Sequence, residues 1–107
     1  MKIKSASTND LNMQIVWRFT PDAIELTPEA AGVYAFFADD GELLLLGSAT
    51  KSLRKIFRSH WMGYEGGVTC GATFIGWEIN NAPLTREAEL VRQYTRAHGR
   101  IPRRRMG

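Results

Sequence analysis

The chain has 107 residues, 44% of them apolar, with one cysteine and a formal net charge of +3. This length accommodates one compact domain and excludes two separate cores. The longest apolar run, residues 33–38, is far shorter than the roughly 20 residues that a membrane-spanning helix needs, so we expect no membrane partner. A single cysteine excludes an internal disulfide, and the composition favours a reduced, cytoplasmic protein.

The charge is distributed unevenly along the chain. Residues 1–50 carry three basic and seven acidic side chains, and residues 51–107 carry eleven and four, so the halves have net charges of −4 and +7. Clustered lysines and arginines attract nucleic acid by displacing counterions from its phosphates. A charged surface that only keeps the protein in solution is the alternative, and charge alone does not separate the two.

The N-terminal quarter contains few structural signals. Residues 1–12 lack apolar periodicity, whereas residues 14–19 are rich in β-branched and aromatic residues and favour a short edge strand. Residues 21–26 are compatible with one or two helical turns. We expect residues 1–27 to form an extension that packs on or beside a domain made by residues 28–107, which ends in a basic tail.

A β-hairpin is the strongest structural prediction. Residues 32–37 and 42–47 are nearly continuous apolar runs separated by Asp40-Gly41, a dipeptide that favours tight turns because glycine adopts positive φ at low cost. Continuous rather than alternating apolar residues indicate a sheet that helices cover on more than one face.

Two helices and a third strand follow. Apolar residues from Leu53 recur at helical spacing, which predicts a helix with His60 on its packed face and basic residues outside. Residues 62–71 are rich in glycine and predict a loop, and residues 72–79 predict a strand. Thr85 is a suitable N-cap for a second long helix over residues 86–98.

Glu87 is the most informative single residue of this last helix. It precedes Leu90, Val91 and Tyr94 by three, four and seven positions, which places it on the buried stripe. A buried carboxylate must be paired, hydrogen-bonded, neutralised or bound to a metal ion. The alternative is an acid in the first helical turn, where it stabilises the helix dipole.

Other candidate sites are weaker. Residues 47–52 lack the glycines of a nucleotide-binding P-loop, but Lys51, the neighbouring hydroxyls and the helix-start amides could hold one backbone phosphate. His60, Cys70 and His98 do not have the spacing of a zinc site. Basic side chains on the second helix and in the tail predict a phosphate-binding surface, or a solvated chain end: Arg92, Arg96, Arg103, Arg104 and Arg105.

Four motifs in order resemble the GIY-YIG nuclease superfamily: Gly32-Val33-Tyr34, Leu45-Leu46-Gly47, the helix from Leu53 to His60, and Glu87 with the residues after it. The resemblance covers roughly residues 28–102. It implies an α+β fold with a small three-stranded antiparallel sheet flanked by helices. It also implies hydrolysis of phosphodiester bonds with one divalent cation, Mg²⁺ or Mn²⁺.

The resemblance assigns roles to individual positions. Tyr34 matches a tyrosine that positions or deprotonates the attacking water, and Glu87 matches the glutamate that holds the metal ion. We expect nucleic acid, with DNA as the preferred partner, to contact Lys51, Arg54 and Arg58 as well as the basic residues of the second helix and the tail.

This chain departs from the family pattern at three places. Leu45 stands where the second tyrosine is expected, and Ile56 stands where the family has an arginine. The family's late asparagine has no counterpart, because Arg103, Arg104 and Arg105 follow Pro102. Since the loss of one preorganised charge donor lowers an enzymatic rate by about a hundredfold to a thousandfold, these departures predict weak or absent hydrolysis.

Three functions therefore compete. The first is a nucleic-acid-binding domain of nuclease fold that has little or no hydrolytic activity. The second is an active, divalent-metal-dependent DNA endonuclease in which Arg54, Arg58 or a tail arginine reaches the site from another direction. The third is a protein-interaction module that does not bind nucleic acid. The pattern of residues leaves the oligomeric state open.

Overall fold

A computed structural model describes residues 15–63 and 72–99 of the chain. In that part of the chain the elements follow one another in the order β1 (Ile15–Arg18), α1 (Pro21–Leu26), β2 (Gly32–Phe37), β3 (Leu43–Ala49), α2 (Leu53–Trp61), β4 (Phe74–Ile79) and α3 (Pro83–His98). The predicted loop over residues 62–71 lies mostly outside the described residues, and residues 1–12 and the basic tail lie wholly outside them.

The strands form one antiparallel sheet in the order β1-β4-β2-β3. An α+β fold with an antiparallel sheet flanked by helices is thus confirmed, but the predicted count of three strands is wrong. The fourth strand is β1, which pairs with β4 so that Val16 lies opposite Gly76. Val16 is buried in the core, and this burial holds the short edge strand on the sheet.

The hairpin between β2 and β3 forms as predicted. Gly41 has a φ of 89°, the conformation that glycine adopts without steric penalty. The amide of Ala38 donates to the carbonyl oxygen of Glu42 at 2.8 Å, and a carboxylate oxygen of Asp40 accepts from the Glu42 amide at 2.9 Å. These bonds close the turn and set the pairing of Tyr34 with Gly47.

The two faces of the sheet bury different residues of β2, because successive strand side chains point in opposite directions. Val33 and its same-face neighbours pack with Leu90 and Tyr94 of α3. Tyr34 and Phe36 pack instead with the apolar residues of α1 and α2, which include Phe57. Helices cover both faces, which explains why all six residues of β2 are buried.

Helix α3 begins at Pro83, three residues earlier than predicted. Proline is well suited to the first helical turn because its missing amide needs no partner there. The predicted N-cap, Thr85, therefore lies inside the helix. The helix ends at Gly99, which adopts a left-handed conformation with a φ of 70°, as the sequence predicts.

The predicted N-terminal extension contributes β1 and α1 to this architecture. At the start of β4, the amide of Phe19 donates to the carbonyl oxygen of Thr73. At its end, the amide of Asn80 donates to the carbonyl oxygen of Ala31, so both ends of β4 are hydrogen-bonded to neighbouring segments. The boundary between extension and domain near residue 27 stays a prediction. Within residues 15–63 and 72–99 no helix has the length and apolarity needed to span a bilayer.

Candidate functional site

A surface cleft of about 290 Å³ lies between the end of β3 and α2. Two lysines, four hydroxyl-bearing residues and two apolar residues line it: Lys51, Lys55, Ser48, Thr50, Ser52, Ser59, Ala49 and Ile56. Both lysine side chains are exposed, and the structure shows no ion pair for either within the described residues. Ammonium and hydroxyl groups that converge on a cleft are suited to an anion such as a phosphate.

The local sequence of α2 explains how this cleft is built. Ser52 caps the helix by accepting a hydrogen bond from the Lys55 amide at 3.1 Å, so the first turn is fixed at the mouth of the cleft. Lys55, Ile56 and Ser59 follow at spacings of three and four residues, which align on one side of a helix. The core side, formed by Leu53, Phe57 and His60, is a different one.

Arg54 and Arg58 lie on a third side of α2, away from the cleft. The Nε of Arg54 donates to the carbonyl oxygen of Thr27 at 2.8 Å, and its Nη1 lies 3.4 Å from Glu29 Oε1. Arg58 Nη2 lies 2.9 Å from Glu25 Oε2. Both guanidinium groups are therefore directed towards residues 25–29, and neither residue lines the cleft.

Tyr34 is buried on the α2 face of the sheet, with 2% of its surface exposed. Its ring contacts those of Phe36, Phe57 and His60 at centroid distances of 5.7 to 5.9 Å. The phenol lies over Gly47, where an added Cβ would be only 2.5 Å from Tyr34 Oη. This close approach accounts for the glycine at the end of the Leu45-Leu46-Gly47 motif.

Leu45 lies beside Tyr34 on the neighbouring strand. Tyr34 pairs with Gly47 and Phe36 pairs with Leu45, so the side chains of Tyr34 and Leu45 occupy the same face of the sheet. Leu45 is 1% exposed and belongs to the same apolar cluster as Tyr34. A leucine at this position packs well but donates no hydrogen bond to a phosphate or a water molecule.

Glu87 lies on the buried stripe of α3, as its spacing to Leu90 and Tyr94 predicts, and it is 2% exposed. Because α3 begins at Pro83, Glu87 belongs to the second turn, and the alternative of a first-turn acid is wrong. The family resemblance also implies that Tyr34 and Glu87 open into one cleft, and this stays a prediction. The apolar residues of α3 pack on the sheet face opposite to the one that Tyr34 occupies.

The surroundings of Glu87 do not fit a hydrated divalent cation. Both of its carboxylate oxygens are shielded from solvent. Mg²⁺ bound through one or two protein carboxylates retains several of its water molecules, so it requires an oxygen that faces open space. Among residues 15–63 and 72–99 no group of three or more His, Cys, Asp or Glu side chains is placed to hold a metal ion.

Helix α3 carries the remaining predicted cations. Arg92 and Arg96 are both exposed, one turn apart on the outer side of the helix. Arg103, Arg104 and Arg105 lie outside the described residues. Arg86, which was not predicted as a site residue, anchors α3 to β4 through Glu78 at 2.8 Å, and hydrogen bonds to Glu78 and Glu89 raise its pKa above the ordinary value.

The sequence reasoning missed three cleft residues, namely Lys55, Ile56 as a lining side chain, and Ser59. Lys55 was interpreted only as an outward-facing residue. The helical spacing of Ser52, Lys55 and Ser59 was a usable signal, because it places them on one side of α2. The sequence did not indicate that this side of α2 lies next to the end of β3, because that placement depends on how the helix packs on the sheet.

Comparisons with known proteins agree with this architecture. Two solved structures of the GIY-YIG N-terminal endonuclease domain of UvrC from Thermotoga maritima, one of them a point mutant, are similar to the chain with a TM-score of 0.57 each. Their sequence identities are 26% and 25%, and each match covers 68% of this chain and 86% of the other. Both of those domains were solved with their catalytic divalent cation bound, which is magnesium in the first.

No protein-family model matches the chain, and no curated protein matches it. The structural similarity nevertheless agrees with the fold that the four motifs imply. The protein therefore has a GIY-YIG-like domain.

Proposed function

We propose that this protein binds nucleic acid through its GIY-YIG-like domain and has little or no phosphodiesterase activity. The observation that carries the proposal is the composition of the cleft between β3 and α2. Lys51 and Lys55 line it together with four hydroxyl-bearing residues, whereas Ile56 stands at the position where the family has an arginine. Such a cleft has the groups needed to hold a phosphate but lacks the guanidinium that hydrolysis requires.

Binding is supported by the charges that remain available. Lys51, Lys55, Arg92 and Arg96 are exposed, and the structure shows none of them in an ion pair within residues 15–63 and 72–99. Each cation that neutralises a phosphate releases counterions, which favours association at low salt concentration. The predicted tail arginines would add to this surface.

Weak or absent hydrolysis is supported by the absence of hydrogen-bonding side chains at two positions of the family pattern. Leu45 and Ile56 replace the two side chains that would hydrogen-bond the reacting groups, and each loss lowers a rate by about a hundredfold to a thousandfold. Arg54 and Arg58 do not substitute for the missing arginine, because both guanidinium groups contact residues 25–29. The buried carboxylate of Glu87 offers no open oxygen to a cation.

Two measurements on the purified protein test the proposal. Fluorescence anisotropy with a labelled 20-base-pair duplex, titrated from low to high salt, should show binding that weakens steadily as salt increases. Incubation with supercoiled plasmid and Mg²⁺ or Mn²⁺ should yield no nicked product above the level of a protein-free control.

Two outcomes would contradict the proposal. Metal-dependent nicking that Glu87→Gln abolishes would establish an active endonuclease. A lack of binding to duplex, single-stranded and branched DNA at low salt would favour a protein-interaction module.

A further inference from the structure

The segment that contains α1 lies along one side of α2 and is tied to it by polar contacts. The carbonyl oxygen of Ala30 accepts from the Leu53 amide at 2.9 Å, and that of Pro28 accepts from the Arg54 amide at 3.3 Å. The Arg54 guanidinium adds a bond to the carbonyl oxygen of Thr27. Residues 25–30 therefore form a strap, which we call the acidic strap because it carries Glu25 and Glu29.

The acidic strap changes the electrostatics of α2 on one side only. Glu25 pairs with Arg58, and Glu29 pairs with Arg54. The two carboxylates remain 62% and 70% exposed, so a polyanion that approaches Arg54 and Arg58 meets negative charge at the surface. The cleft on another side of the same helix, lined by Lys55 and by Lys51 just before the helix, contains no acidic lining residue.

We propose that the acidic strap closes the Arg54–Arg58 side of α2 to nucleic acid and restricts phosphate contacts on this helix to the Lys51–Lys55 side. The physical basis is competition, because a phosphate must displace a carboxylate to reach either arginine and is repelled by the displaced group. This inference rests on the proposed nucleic-acid binding, and it assigns that binding to one side of the helix.

The test compares two double variants that change net charge by the same amount. Glu25→Gln with Glu29→Gln removes the carboxylates of the strap. Asp22→Asn with Asp39→Asn removes two exposed carboxylates that the structure does not pair with an arginine of α2. Affinity for the labelled 20-base-pair duplex is measured by anisotropy over a range of salt concentrations, after circular dichroism has verified that each variant is folded.

Removing the strap carboxylates should tighten duplex binding about tenfold at low salt and steepen the log–log salt dependence by about 2, as two added phosphate contacts require. The control double variant should tighten binding by less than about threefold, the effect of net charge alone. Adding Arg54→Gln and Arg58→Gln to the strap variant should abolish the gain, and those two changes alone should weaken wild-type affinity by less than about threefold, the effect of net charge alone.

Equal tightening in the strap and control variants, or none in the strap variant, overturns the inference while the binding function stands. Loss of wild-type affinity on Arg54→Gln and Arg58→Gln also overturns it, because the arginines would then already contact nucleic acid. If neither wild type nor any variant binds at low salt, the proposed function fails and the inference fails with it.

Discussion

Gly47 and Tyr34 depend on each other at the scale of single residues. The tyrosine ring can lie against β3 only because the strand has no side chain at this position, where an added Cβ would approach Oη and Cζ within 2.5 and 2.6 Å. The burial of Tyr34 among Phe36, Phe57 and His60 leaves the ring no room to move away. The glycine of the second motif is therefore required by packing.

Gly47→Ala should lower the free energy of unfolding by about 1–3 kcal/mol, since the new methyl group forces a strained rearrangement in a filled core. Urea denaturation measures this change. Ser48→Ala is the matched control on the same strand, and it should change stability by less than about 0.5 kcal/mol because Ser48 is only half-buried. Equal stability of Gly47→Ala and wild type would show that the ring is not held against β3.

Glu87 illustrates how burial restricts chemistry at a single position. Its two carboxylate oxygens are shielded from solvent, and Leu90, one turn later on the same stripe, is completely buried. A carboxylate in this environment takes part in packing and internal polar contacts. Binding of a hydrated cation would require the N-terminal part of α3 to move.

Mn²⁺ should therefore show no saturable binding that depends on Glu87. Electron paramagnetic resonance of free Mn²⁺ during titration with the protein measures this directly, and wild type and Glu87→Gln should give the same curve. Duplex affinity should also be unchanged by addition of EDTA. A saturable site in wild type that Glu87→Gln removes would show that the carboxylate opens to the metal ion in solution.

At the scale of secondary-structure elements, three sides of α2 make different contacts. One side is buried against the sheet, one is tied to the acidic strap, and one lines the cleft through Lys55, Ile56 and Ser59. The two arginines that face the strap are not equivalent. Arg54 is partly buried and bonds a backbone carbonyl, whereas Arg58 and its partner Glu25 are largely exposed.

Arg54→Gln should destabilise the domain by about 1.5–3 kcal/mol, because it removes a charge-assisted hydrogen bond that satisfies the partly buried Thr27 carbonyl. Arg58→Gln should have a smaller effect, below about 1 kcal/mol, since exposed ion pairs are screened by solvent. Thermal unfolding of both variants at the same pH and salt concentration measures the difference. Equal destabilisation would mean that the Thr27 contact does not hold the strap on α2.

At the scale of the whole molecule, α2 and α3 cover opposite faces of one sheet and carry separate groups of exposed cations. Lys51 and Lys55 belong to the cleft beside α2, and Arg92 and Arg96 project from α3. A nucleic acid bound at the cleft need not contact both groups. If binding depended on net charge alone, the lysine pair and the arginine pair would contribute equally to it.

Lys51→Gln with Lys55→Gln should weaken duplex binding about tenfold at low salt and reduce the log–log salt dependence by about 2, because two phosphate contacts are lost. Arg92→Gln with Arg96→Gln is the matched control, with the same change in charge. A smaller loss for the arginine pair supports binding at the cleft. Equal losses for the two pairs would mean that binding follows overall charge.

Much of the fold was predictable from local patterns. The Asp40-Gly41 turn, the two apolar runs beside it and the helical spacing from Leu53 depend on short-range sterics and periodicity, which neighbouring residues determine. The predicted start of α3 was three residues too late because Thr85 was chosen as the N-cap, although Pro83 is well suited to the first helical turn. The fourth strand depends on long-range pairing with β4, which a pattern over residues 14–19 only suggests.

The amino-acid sequence by itself determined that Leu45 and Ile56 replace the tyrosine and the arginine of the family pattern. It also determined the burial of Glu87, through the spacing of this residue along α3. Only the tertiary structure decided which basic residues of α2 face the cleft and which face the acidic strap. Helical periodicity assigns side chains to sides of a helix, but what each side meets depends on packing between segments distant in the chain. Glu25 and Arg58 are 33 residues apart, so their pairing exists only in the folded domain.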